Sequence, residues 1–291
     1  MSRDRLRGRV ALGLAACAAI CLALPATSAT AGSSGLATFK QAHPHHPLHI
    51  SNRYFSLRPR TTYGYYGSVV DADGRHRHRV VFTVTDLVKN VGGTWTRVAW
   101  DRDIQDGVLS EAELALFAQD DRHRVRSLGE YPEEYEHGHI TGAPSTWLDG
   151  VGDAYGGVLV PGRPVVGTRF VEGKALSIDF FDVGRVVRRD AHTCVPIGCF
   201  DHVLVINEWS PLAPEDGHQL KYYAPGVGLV RVSALGGDSQ ERMTLQRIVH
   251  LGPVKAAHVR RVVRRVDARG RHTNAVWAQA PSVLRHRTFS R

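Results

Sequence analysis

The sequence predicts a mainly β fold, an antiparallel meander forming a curved sheet or open barrel, followed by a basic C-terminal extension with helical periodicity. Three observations carry this expectation. From Tyr54 onward β-branched and aromatic residues dominate, turn signals recur every 8 to 15 residues, and helical periodicity is scarce until the chain passes Gly252-Pro253.

At the N-terminus, Arg3, Arg5, Arg7 and Arg9 precede an apolar run from Val10 to Leu24, and Ala29-Thr30-Ala31 places small residues where a signal peptidase reads them. Residues 1–31 are therefore expected to be a secretory signal peptide cleaved after Ala31, with a secreted or extracytoplasmic address. The apolar run is shorter than the ~20 residues a membrane-spanning helix needs. Leu14-Ala15-Ala16-Cys17 offers a minor alternative, lipid anchoring at Cys17, but a cut there leaves the apolar Ala18–Leu24 on the mature chain. Residues 32–51, small and polar and then His/Pro-rich, read as a flexible lead-in to a β-rich domain over residues 52–251.

Within that domain, Arg79–Val88 places Val80, Phe82 and Val84 on one face and Val81, Thr83 and Thr85 on the other. Asp201–Trp209 alternates Val203, Val205 and Trp209 against Leu204 and Ile206. Asp73-Gly74, Asp106-Gly107, His137-Gly138, Pro225-Gly226 and Gly236-Gly237 mark hairpin reversals. Ser110 and Glu113 have capping-box spacing, yet a hairpin tip at Asp106-Gly107, joining Thr94–Asp103 to Val108–Phe117, argues for a strand there. Cys194 and Cys199 are the two cysteines left after the signal. With Pro196 and Gly198 turning the chain between them, in an oxidising compartment, they are expected to form a disulfide that pins a hairpin.

Residues 252–291 form the basic tail. Val259, Val262, Val263 and Val266 fall at helical spacing opposite Arg260, Arg261, Arg264 and Arg265, and beyond Arg269 nothing periodic remains. Two readings stand: a solubilising, partly disordered end, or an anion-seeking segment that lies on phospholipid headgroups or polyanionic wall polymers. The ends carry the basicity. The signal holds +3 and the tail +9 of a chain at +9, which leaves −3 on residues 32–251. The high pI thus gives no support to a nucleic-acid-binding domain, and no specific nucleic-acid partner is expected.

Several segments together carry a resemblance: Asn52–Tyr63 followed by Gly64-Tyr-Tyr-Gly67, Ala118-Gln-Asp120, Leu128-Gly-Glu130, Trp147 with Gly150, Pro161–Gly167, and above all Lys221-Tyr-Tyr-Ala-Pro-Gly-Val-Gly-Leu-Val230. Over about residues 52–251 the chain resembles a family of uncharacterised exported bacterial proteins, secreted or lipid-anchored and common among actinobacteria. The resemblance implies an extracytoplasmic strongly curved antiparallel sheet or open barrel and supplies no catalytic residues. The Cys194/Cys199 pair and the arginine-rich extension after Leu251 depart from that pattern.

No catalytic constellation, cofactor fingerprint or closed metal site stands out. Asp101-Arg-Asp103, Asp106-Gly107 and Glu113 suggest a calcium loop, but with Gly107 at the glycine position Arg102 and Ile104 fall where oxygen ligands are needed. His43/His45/His46/His49, His76/His78 and His137/His139 have spacings able to present two imidazoles to one ion, though the last two pairs read as lying at or beside turns. Glu130, Glu133, Glu134 and Glu136 read as a solvated face with Tyr131 and Tyr135 packing inward, since a linear run fixes no carboxylate separation. There is no Gly-x-Ser-x-Gly elbow. The expected function is that of a non-enzymatic, envelope-associated or apolar-ligand-binding β domain, with an apolar small molecule or lipid as ligand and anionic envelope components as partners of the tail. The alternatives are an extracytoplasmic metal-dependent hydrolase and a purely structural envelope protein.

Overall fold

The computed structural model describes residues 44–286. The expected signal peptide, Cys17 and the first part of the expected lead-in lie outside the described residues.

Turn chemistry sets the order of strands. Asp106 and Gly107 take φ of 50° and 88°, the left-handed pair a two-residue hairpin requires, and Gln105 faces Val108 across them. His137-Gly138 repeats this between Glu136 and His139. The resulting strands are β1 (Thr61–Asp71), β2 (Gly74–Val91), β3 (Thr94–Gln105), β4 (Val108–Gln119), β5 (Val125–Glu136), β6 (His139–Gly142), β7 (Trp147–Leu148), β8 (Tyr155–Gly156), β9 (Val158–Val160) and β10 (Arg169–Ala175). There follow β11 (Phe180–Val195), β12 (Gly198–Trp209), β13 (His218–Ala224), β14 (Gly228–Leu235), β15 (Gln240–His250), helix α1 (Pro253–Thr273) and β16 (Leu284–Arg285). The expected Val108–Phe117 strand lies within β4, four of the five expected reversals fall between strands, and the fifth, Asp73-Gly74, straddles the start of β2.

The strands form one antiparallel sheet in the order β6-β5-β4-β3-β2-β1-β15-β14-β13-β12-β11-β10-β8, with β7 and β9 joined to β5 and β16 to β2. The sheet curls without closing into a barrel. At the seam, Arg126 Nη2 of β5 donates to the Gly156 carbonyl of β8. A Cβ on Gly156 would lie 2.5 Å from the Ser127 carbonyl, so glycine is what lets the two ends approach. Cys194 and Cys199 are bonded as expected, directly opposite each other in the β11–β12 hairpin with Cα atoms 4.0 Å apart. Closing so short a loop contributes on the order of 2 kcal/mol at most.

The concave face holds the larger core, including Tyr63, Tyr65, Phe82, Phe117, Val186, Ile206 and Tyr223. The segment before β1 fills its mouth. Phe55 meets Phe117 and Tyr223 edge-on at 5.9 and 6.0 Å. Residues 44–51, assigned to the flexible lead-in from sequence, are tied down here: Gln119 N donates to Pro47 O, Ser51 N donates to Gln119 Oε1, and Ile50 is buried.

The convex face of β2–β5 is covered by the C-terminal region, which corrects the expectation of a partly disordered end. Val263 and Val266 of α1, with Trp277, Ala280 and Val283 beyond it, pack on Leu87, Val98, Trp100, Leu114, Leu116 and Tyr131. The helical periodicity of the valines is therefore the docking stripe. The reason the remainder is ordered lies in Asp267. Its Oδ1 accepts from Lys89 Nζ at 2.7 Å and Trp277 Nε1 at 3.0 Å, and its Oδ2 from Val283 N at 3.1 Å. Lys89 and Asp267 are both buried.

Removing one partner of a buried ion pair leaves an uncompensated charge, which costs about 3–5 kcal/mol. Asp267→Ala is expected to lower the unfolding free energy by about that much in urea titrations, and the double change Lys89→Met/Asp267→Leu to recover most of the loss.

Candidate functional site

Along the concave face, strand alternation turns charged side chains into the interior. His78 of β2, Asp101 and Asp103 of β3, Glu113 of β4, Glu130 of β5, Glu172 of β10, Asp182 of β11, Glu208 of β12, Lys221 of β13 and Glu241 of β15 are all buried. Register places them on the apolar core's side: Glu130 opposite Ala115, Lys221 opposite Ile206 and Val232, Asp103 opposite Val80. Carboxylates far outnumber the cationic His78 and Lys221.

Each group has a distinct environment. Lys221 pairs with Glu208, whose Oε1 also accepts from Tyr223 OH at 3.3 Å. Glu130 accepts from Trp147 Nε1 at 3.0 Å and Ser127 Oγ at 3.4 Å. His78 is held between Asp103, on Nε2, and Glu241 Oε1, 2.9 Å from Nδ1. A Cβ on Gly184 would fall 2.3 Å from Glu172 Oε1, so glycine makes room for that carboxylate. Glu113 Oε1, Glu172 Oε1 and Asp182 Oδ1 have no hydrogen-bond partner among the described residues.

Burial governs the protonation of this interior. It pushes Asp101 up to about 8, with Asp103 adding to the rise. Glu130 also rises to about 8, its hydrogen bonds from Trp147 and Ser127 opposing burial in part. Asp182 reaches about 7 because Lys221 offsets some of the same penalty. Burial holds Glu113 and Glu172 well above the usual carboxylate range, aided by Glu130 and Glu208 respectively. For His78 burial works the other way, but Asp103 and Glu241 outweigh it and raise the imidazole to about 10.

At the mouth of the concavity a narrow cleft opens between the segment before β1, strands β1–β3 and the β13–β14 turn. Phe55, Leu57, Tyr63, Tyr65, Phe82 and Leu229 form most of its wall, and Asp101 is its one charged lining residue. Tyr65 OH donates to Leu229 O at 2.9 Å, tying β1 to β14 beside the cleft. The segments noted in the sequence converge around it. Gly226 N donates to Arg53 O at 2.8 Å, and Asn52 Nδ2 donates to His123 O and Pro161 O.

The other sequence candidates separate. The Asp101–Glu113 stretch is the β3–β4 hairpin, as the failed calcium register implied. The glutamate run is not a solvated face: Glu130 points into the concavity, while Glu133 is buried on the convex side, where Arg269 Nε and Nη2 donate to it at 2.7 and 2.5 Å and Tyr131 and Tyr135 add hydroxyl donors. An alternating strand with both faces covered buries glutamates of both parities. His76 stays near the β1–β2 turn against Asp106, but its neighbour His78 is buried in the interior, away from the turn setting expected of the pair. His137 and His139 are exposed at a hairpin, and His43 lies outside the described residues. Among the described residues, His192, Cys194 and Cys199 are one group whose ligand atoms lie within 4.8 Å of one another, and both sulfurs are spent in the disulfide.

No family model and no curated protein matches the chain. Among solved structures it is similar to a protein described as exported, with a YmcC-like fold, from Bacteroides fragilis, at 15% identity over 68% of this chain and 99% of that one, with a TM-score of 0.39. It is also similar to a protein described as a lipoprotein from Parabacteroides distasonis, at 13% identity over 68% and 99%, with a TM-score of 0.33. No helix among the described residues is long and apolar enough to cross a membrane, a statement that leaves strands aside.

The raised carboxyls make stability depend on pH with a definite sign. A group that binds its proton more tightly when folded stabilises the protein fully below its unfolded pKa, ~4 for a carboxyl, and that contribution is lost as pH rises through the folded value. For Asp101, Glu130 and Asp182 the loss therefore begins at ~4 and is complete near 7 to 8. His78 acts in the same sense, its contribution falling away as pH approaches about 10. Thermal scans are expected to show Tm decreasing between pH 6 and 9, with a shallower decrease in Glu130→Gln; a Tm that rises over this range contradicts the burial argument.

Proposed function

We propose that this chain is an extracytoplasmic binding protein, exported by the signal in residues 1–31, whose concave sheet face holds a small and largely apolar molecule. The observation that carries the reading is the aromatic cleft with Asp101 as its one charged lining residue. Small-molecule sites are typically apolar concavities in which a few polar groups fix orientation. The export signal and the resemblance to exported bacterial proteins support the address.

Native mass spectrometry of the mature protein tests this. The expected native mass exceeds the denatured mass by that of a small molecule, and Val227→Trp, at the rim of the cleft, removes the difference. Equal native and denatured masses, with no uptake from a lipid extract, would contradict the reading and favour a structural envelope protein. The same spectrum separates cleavage after Ala31 from acylation at Cys17.

A second reading concerns the outer side of α1, where Lys255, Arg261, Arg264 and Arg265 are exposed and lack an ion pair among the described residues. The apolar stripe of the helix is spent on the sheet, so contact with an anionic phospholipid surface is electrostatic, worth about 1 kcal/mol per basic residue. Cosedimentation with phosphatidylglycerol vesicles is expected to fall with added salt and to weaken about tenfold or more in Arg261→Gln/Arg264→Gln/Arg265→Gln. Undiminished binding by that variant would contradict it.

A further inference from the structure

We infer that the cleft selects a ligand with a cationic head, an ammonium group on an apolar body, over a neutral or acidic one. This rests on the reading of the cleft as a binding site.

Two independent features point the same way. The first is the wall. Phe55, Tyr63, Tyr65 and Phe82 line the cleft together, and aromatic faces carry the negative side of the ring quadrupole, which attracts ammonium groups and suits quaternary ones especially well. The second is the acid at the base, a carboxyl that a bound cation would help to ionise. Asp101 lies directly opposite Glu113 in the β3–β4 register, and Asp103 follows two residues along the same face. Glu113 is buried with Oε1 unpartnered among the described residues.

The cations that Asp101 senses, Arg102 and His78, are each drawn elsewhere. His78 is bracketed by Asp103 and Glu241. The Arg102 guanidinium lies 4.2 Å from the centre of the Trp100 ring, and Trp100 belongs to the convex core. Arg58, which senses Tyr63, is solvent-exposed.

The three ligand classes therefore meet different fates. A carboxylate ligand gains nothing from the ring faces and would oppose ionisation of Asp101, the one acid in the lining. A neutral apolar ligand meets the ring faces but offers the Asp101 carboxyl no charge partner. An ammonium head meets both the rings and the carboxylate.

The test uses three soluble probes with one six-carbon body, hexyltrimethylammonium, 1-hexanol and hexanoate, titrated calorimetrically into the full mature protein at pH 9, where Asp101 is ionised. The ammonium is expected to bind about tenfold or more tightly than hexanol, a difference of about 1.4 kcal/mol, with hexanoate weakest. Asp101→Asn, nearly isosteric and uncharged, is expected to abolish the advantage of the ammonium over hexanol. Equal or tighter binding of hexanol or hexanoate by the wild type overturns the inference but leaves the cleft as an apolar site. Binding of none of the three overturns both. The wild-type ranking decides the matter even if the variant does not fold.

Discussion

The curl of a single antiparallel ladder brings Glu130 of β5 within electrostatic reach of Asp182 of β11 and Lys221 of β13, strands that lie far apart in the sheet order. Everything inside the concavity follows from that approach. Charges that would be solvated on a flat sheet face one another in a medium of low dielectric, where an ionised carboxylate without a partner is costly. Lys221 neutralises part of the cluster through Glu208, and protons take up much of the remainder. The same curl places Phe55 between Phe117 and Tyr223, so that the segment before β1 seals one end and leaves the cleft beside it.

The convex side solves a different problem. A sheet whose strands β2–β5 are apolar on both faces needs a cover, and α1 supplies it through the valine stripe and Trp277. The basic residues of the tail divide accordingly. Arg260 and Arg269 reach Asp86 and Glu133, while Arg261, Arg264 and Arg265 stay in solvent. The helix is part of the fold, and its positive side is what remains available to a partner.

Much of this was legible in the sequence wherever the cause is local. Asp106-Gly107 announced its hairpin because two left-handed residues suit that turn, and Cys194 and Cys199 announced their bond because a tight turn returns the chain on itself. The valines of α1 announced a helix with one apolar side, but not that the sheet would bury it. What was not legible depends on distant partners. Glu130 and Glu133 are alike in sequence and end on opposite faces, one against Trp147 and the other against Arg269. Asp267 reads as a lone acid in a basic tail until Lys89 is placed beneath it. The acidic interior had a faint signal, since Asp101, Asp103 and Glu113 share the inward parity of Ala99 and Ala115, but alternation was followed through apolar residues and not through charged ones. The cleft had none, because its wall is assembled from residues as far apart as Phe55, Asp101 and Leu229.

Burial of interacting carboxyls is the claim from which the interior, the pH dependence and the cleft's character all descend. Carboxyl carbon NMR across a pH series measures it directly, residue by residue. The account predicts midpoints near 8 for Asp101 and Glu130 and near 7 for Asp182. Midpoints for all three near ~4, as in an unstructured peptide, would show that the interior is solvated and would contradict it.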